Sequence, residues 1–227
     1  MKIAVDIIIL NIKNMRTRST ILSFLFTLFF LNQVMAQKNM SSVKIGDQLW
    51  MQRNLDVVVF RNGDTIHEAK TDEEWKNAAI EKRPAWCYYG NRLRNGKKYG
   101  KLYNWYAVND SRGLAPVGWH IPNVLEWKKL SDAMGGDNSA GLRLKAHYGW
   151  KNDNGLGKEK SLFLALPGGN RDGLGDFFSI EERGCWWSAN ELNAYRAIYY
   201  SLYYGANNFA KMDYYKMDGF SVRCIKD

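Results

Sequence analysis

The stretch GWHIPNVLEWKKL (residues 118–130) sets His120 six residues ahead of Glu126, with Trp119 and Trp127 alongside. Such a pair is either an acid–base couple or part of a helix entrance, and its neighbours favour the entrance. Asn123 stands at an N-cap position and Glu126 three residues later, the spacing of a capping box. Val124, Trp127, Leu130 and Met134 then recur on one face, and Gly135-Gly136 stops the helix. Glu126 is therefore expected to accept from the Asn123 backbone N–H, and His120 to brace the entering loop. The same signature occurs in TDEEWKNAAIEKRP (residues 71–84). Thr71 is the cap, Glu74 closes the box, Trp75, Ala78 and Ala79 form the apolar stripe, and Pro84 ends the helix.

Working outward, VKIGDQLWM (43–51) and LDVVVF (55–60) read as two strands followed by an Asn62-Gly63 turn. The segment CYYGNRLRNGKKYGKLYNWYAVND (87–110) lacks a sustained helical period and reads as a long ordered loop. A short helix is expected over SAGLRLKA (139–146). Strands are expected in SLFLALP (161–167), CWWSA (185–189), YRAIYYSLYY (195–204), DYYKM (213–217) and FSVRCI (220–225). In the last, Phe220, Val222 and Cys224 alternate with Ser221 and Arg223, which turns Cys224 inward. Helices early and antiparallel strands late describe an α+β domain.

The 227 residues, 46% hydrophobic and 24% charged, suit one ordinary globular domain. The N-terminus departs from that average. Lys13, Arg16 and Arg18 precede ILSFLFTLFFL (21–31), and VMAQ places Val34 and Ala36 where a signal peptidase takes small residues. Residues 1–36 are expected to be a signal peptide, 37–42 a short leader and 43–227 a single domain. The apolar run is shorter than the roughly 20 residues of a bilayer span, so membrane contact is expected only before cleavage. The signal is complete from Met15 onward, which makes Met15 the expected start. The first cysteine, Cys87, lies far from the cleavage point, which argues against a lipoprotein. The expected location is secreted, periplasmic or cell-surface.

The formal charge of the chain is +9. Removing residues 1–36 takes away four cations and one carboxylate and leaves a basic domain. Outside the cytoplasm that points to anionic glycans, envelope phosphates or acidic proteins, and not to nucleic acid. Arg92, Arg94, Lys97, Lys98 and Lys101, with Tyr99 among them, are either a phosphate- or sulfate-gripping cluster or a solvated basic loop. The three cysteines allow one disulfide and one leftover thiol, and their wide separations exclude CxxC redox or zinc pairs.

GGNRDGLGDF (168–177) resembles a phosphate loop but lacks the strand-before, helix-after context of one. Its Asn170, Asp172 and Asp176 could hold calcium, although the spacing matches no EF-hand, and no cofactor is expected. KNDNGLGKEKS (151–161) offers Asp153, Asn154 and Glu159 as further oxygen donors, which turn chemistry also explains. G-x-S-x-G and H-E-x-x-H motifs are absent, and the histidines at 67, 120 and 147 are dispersed. Aromatics are abundant: 9 Trp, 13 Tyr and 10 Phe supply rings that either fill a loop-rich core or stack on sugars.

The strings VKIGDQLWMQRNL, YGKLYNWYAV, LAPVGWHIPNVLEWKKL, FLALPGGNRDGLGDF, CWWSAN and GFSVRCIKD resemble, in that order, the Fibrobacter succinogenes major paralogous domain. The resemblance runs over residues 43–227 and implies an exported or surface protein of no established activity. More distantly, GWHIPNVLEW and GFSVRC are similar to the formylglycine-generating enzyme family. That implies a C-type-lectin-like fold: two main helices flanking short antiparallel sheets, adjacent termini and long functional loops. Cys87 and Cys224 occupy family-like positions, which implies a Cys87–Cys224 disulfide and leaves Cys185 as the unpaired thiol. The closely spaced copper-binding cysteines of those enzymes and the EPN and WND calcium motifs of lectins have no counterpart.

These readings converge on a non-catalytic exported module that binds an extracellular glycan or surface protein. Asn170, Arg171, Asp172, Asp176, Trp186, Trp187 and Asn190 are its expected ligand-binding residues, since rings and polar groups near glycine turns can converge. Two other classes stay open. One is an extracytoplasmic enzyme using the Cys185 thiol beside Arg183; the other is a surface-assembly component joined through its aromatic strands.

Overall fold

The computed structural model describes residues 41–151 and 161–227. The expected signal peptide lies outside the described residues, as do Asp153, Asn154 and Glu159. The VKIGDQLWM stretch folds as a hairpin and not as one strand: β1 (Ser42–Ile45) pairs antiparallel with β2 (Gln48–Met51). Gly46 makes this possible, because its φ of +59° lies in the left-handed region the turn requires. Next come β3 (His67–Glu68), α1 (Asp72–Ile80), β4 (Ala85–Cys87), a 3₁₀ turn (Tyr89–Asn91), α2 (Leu93–Tyr99) and β5 (Leu102–Tyr103). They are followed by α3 (Trp105–Val108), β6 (Trp119–His120), α4 (Val124–Ala133) and α5 (Gly141–Leu144). The chain closes with β7 (Gly168–Arg171), β8 (Phe177–Ile180), β9 (Arg183–Glu191), β10 (Arg196–Tyr203), β11 (Ala210–Tyr215) and β12 (Ile225–Lys226).

The result is a mixed α/β domain of small, mainly antiparallel sheets. Their orders are β1-β2-β12-β6, β11-β10-β9, β3-β4-β5 and β7-β8. Within the first, Ile225 pairs with both Trp50 and His120, so the first and last described strands share one sheet. The sheet β9-β10-β11 is the frame of the core. Trp186 and Tyr200 face one side, where Trp50, Trp127, Phe163 and Phe209 gather around them. Trp127 stacks on Tyr200 at 5.2 Å, and Trp50 tilts against Trp127 at 4.8 Å. On the opposite face Trp187 meets Phe220 at 4.4 Å. A smaller cluster of Trp75, Ala78, Ala85, Cys87 and Leu102 anchors α1.

Both long helices start as their sequences indicate. Thr71 and Glu74 form the box of α1, and Asn123 and Glu126 that of α4. The segment 87–110 differs from the expected loop, since it contains α2 and α3. Asn104 caps α3 through its side-chain oxygen, which also accepts from the Ala85 N–H. α2 lies so close to Tyr88 that a Cβ on Gly96 would be 2.2 Å from the ring.

LDVVVF forms no strand; Val59 makes one bridge to Thr65, while Leu55 N–H bonds to the distant Val222 carbonyl. SLFLALP keeps a single bridge between Lys145 and Ala165. FSVRCI is buried through Ile225, including Ser221 and Arg223, so alternation there does not separate inside from outside.

The expected Cys87–Cys224 bridge is not formed, and all three cysteines are free and buried. Cys87 is enclosed in the α1 cluster, whereas Cys224 precedes β12, with its carbonyl held by Met51 N–H at 3.0 Å. Burial pushes each of the three thiols up to about 12.

Candidate functional site

A cleft of about 270 Å³ opens where the chain leaving β2 meets the end of α2 and the Tyr148 and Leu164 loops. Asn54 builds its floor. The Asn54 Nδ2 donates to the Tyr99 carbonyl at 2.8 Å, satisfying an acceptor at the helix end. Its Oδ1 accepts from Trp186 Nε1 at 2.8 Å and from Arg223 Nε and Nη2 at 3.0 and 2.7 Å. One amide thereby fixes β2, α2, β9 and the C-terminal segment together.

Arg223 is only 1% exposed. Its Nη1 donates to the carbonyls of Met51 at 3.1 Å and Phe163 at 2.7 Å, and the guanidinium lies 4.4 Å from the Phe163 ring centre. All of these partners are neutral. Burial accordingly pulls the guanidinium below its ordinary range. Around the rim Arg53, Lys97, Lys98 and Tyr148 are exposed, and Lys98 Nζ sits 4.8 Å from the Tyr99 ring centre.

The basic cluster read from the sequence thus divides. Lys97 and Lys98 line the cleft, whereas Arg92 and Arg94 are exposed outside its lining. Lys101 is buried, bound to the Asp56 carboxylate and to Tyr88 Oη, over the Trp86 ring.

The seven expected ligand residues do not converge. Arg171 is fully buried and donates to Gly175 O, Ala69 O and Asp72 Oδ1, tying the glycine loop to the start of α1. Asp172 Oδ1 accepts from Leu174 and Asp176 N–H groups, shaping that loop, while Asp176 is exposed and Asn170 half-buried within β7. Gly175, with φ of +101°, packs against Asp72. Trp187 donates from within the core to the Tyr103 carbonyl, and Trp186 reaches the cleft only from beneath, through Asn54. Asn190 Oδ1 accepts from Val124 N–H at 2.8 Å, a second cap on α4. Among the described residues no group of three or more His, Cys, Asp or Glu side chains is disposed to hold a metal.

His120 and Glu126 also resolve as architecture. Glu126 Oε2 accepts from Asn123 N–H at 2.8 Å, and Oε1 pairs with His120 Nε2 at 2.8 Å. The other ring nitrogen contacts Asp227 at 2.7 Å. Burial works against the charged ring, but the bonds to Glu126 and Asp227 raise its pKa above the ordinary histidine value. Cys185 is 2% exposed beside Ser201, so its thiol lacks both access and thiolate character.

Sequence reasoning missed Arg53, Asn54, Tyr148 and Arg223. The available signal was Arg223 itself, a cation inside the apolar run FSVRCI. The floor of the cleft joins the strings that mark the two ends of the domain, and the family model of the Fibrobacter succinogenes major domain matches residues 43–226. The chain belongs to this family. No curated protein and no solved structure matches it. In this Fibrobacter succinogenes major domain, Asn54 and Arg223 stand in the first and last matching segments and meet in the cleft floor.

Proposed function

We propose that the chain is an exported, non-catalytic, C-type-lectin-like module that binds an extracellular glycan in the cleft above Asn54. The observation that carries this reading is the juxtaposition of an exposed ring, Tyr148, with fixed polar groups around a concavity of about 270 Å³. An aromatic face beside oriented donors is the arrangement that holds a sugar ring. The C-type-lectin-like assignment is supported by two capped helices, short sheets and the pairing of β12 with β2. Export rests on the signal-like residues 1–36 and is tested by the N-terminus of the protein recovered from the cell envelope or medium. For binding, glycan-array screening of the purified protein followed by titration calorimetry is the test. A Tyr148→Ala protein should lose most of the affinity while retaining its fold; binding unchanged in that variant removes the cleft from consideration.

A second reading, a surface-assembly component, has its own observation. β11 is an edge strand on which Met212, Tyr214 and Tyr215 are exposed. Apolar groups on an open edge are an interface signature. Sedimentation of the protein at increasing concentration separates the readings, because assembly through β11 gives multimers that Tyr214→Lys dissolves.

A further inference from the structure

The cleft carries a cation surplus. Its lining includes Arg53, Lys97 and Lys98 at the rim and Arg223 in the floor, and its one carboxylate, Asp56, is already engaged by Lys101. Among the described residues no carboxylate lies within ion-pair distance of those four cations. Exposed lysines alone would signify little, since solvent screens them. Arg223 is different because it is buried. A desolvated charge is costly without a counter-charge, and the oxygens around Arg223 are neutral. Four of its five N–H groups are committed to them, which leaves one on Nη2 without an acceptor among the described residues.

We propose that the cleft takes an acidic sugar, a saccharide unit bearing carboxylate, sulfate or phosphate, with the acid between Lys97, Lys98 and Arg53 and the ring against Tyr148. This rests on the glycan-binding reading above and specifies its ligand class. The acid supplies the counter-charge that Arg223 lacks, across a low-dielectric floor where the attraction is only weakly screened. The volume suits one sugar ring rather than a chain laid lengthwise, being just below the usual range for drug-sized ligands. Selectivity for acids arises because an uncharged sugar leaves the surplus uncompensated.

Titration calorimetry on the full chain tests this with oligogalacturonate, its neutral methyl ester, and a sulfated and a phosphorylated oligosaccharide of equal length. At least one acidic probe should bind about tenfold or more tighter than the ester, and more weakly as salt rises to about 150 mM. The ranking among the three acids identifies the anionic group. Lys97→Ala/Lys98→Ala should remove the preference, whereas Arg92→Ala/Arg94→Ala, the same charge change on the same segment outside the cleft, should not. If the ester binds as tightly as the acids, the acidic-ligand inference falls and glycan binding stands. If no saccharide in the probe set or on the array binds, both fall. Equal effects of the two double variants would show general charge attraction and overturn the site.

Discussion

Asp218 lies in the turn after β11, with Oδ1 accepting from Gly173 N–H at 3.2 Å and Oδ2 buried without a hydrogen-bond partner among the described residues. Burial, and then the charge of Asp172, raise its pKa from 3.8 to about 7. The folded protein therefore retains a proton that the unfolded chain releases between about pH 4 and 7. Stability contributed by this group is present in acid and lost as pH rises through that window. Asp218→Asn, which imitates the protonated acid, should flatten this part of the urea-midpoint profile and stabilise the protein at pH 8. A slope undiminished in the variant would assign it to other groups. Asn54 makes the opposite case, because its oxygen serves three donors. Asn54→Leu leaves Trp186 and Arg223 short of acceptors and should cost about 3 kcal/mol in urea unfolding, the scale of lost bonds to a charged group.

At the scale of elements, α4 shows how far local chemistry determines structure. Its start is fixed by Asn123, Glu126 and, from β9, Asn190. Asn190→Ala frees the Val124 N–H and should destabilise the protein by about 1 kcal/mol, a typical cap loss, without changing the glycan affinity proposed for the cleft. Loss of binding at unchanged stability would return Asn190 to the ligand site. α1 and α4 were legible in the sequence because a capping box and an apolar stripe lie within a few residues of each other. The strands were less so. LDVVVF has β-branched residues but spends its backbone on Val222 and a local turn, while FSVRCI alternates yet is buried on both sides. Neither outcome is encoded locally. Arg223 is accommodated inside because Asn54, 169 residues away, accepts from it. The cleft was legible only in part for the same reason: Lys97 and Lys98 stood out as charges, but the group that gives them significance is distant in sequence.

Across the whole molecule, the segments bearing the three cysteines are β4, β9 and the approach to β12, each in a different sheet context. No single loop opening exposes all three. Cys87 is covered by the α1 cluster, Cys185 by the β9–β10 pairing with Ser201, and Cys224 by the sheet in which β12 joins β2 and β6. Their protection from reagents is therefore a property of the assembled domain, reinforced by the raised thiol pKa values. Maleimide added to the native protein at pH 7 should modify none of them within the time that labels all three in urea, as read by intact mass. Rapid native labelling of Cys185 alone would show an accessible thiol and revive thiol chemistry at β9. A native mass lighter by two hydrogens, with one site labelled in urea, would show instead that the protein closes a disulfide absent from this fold.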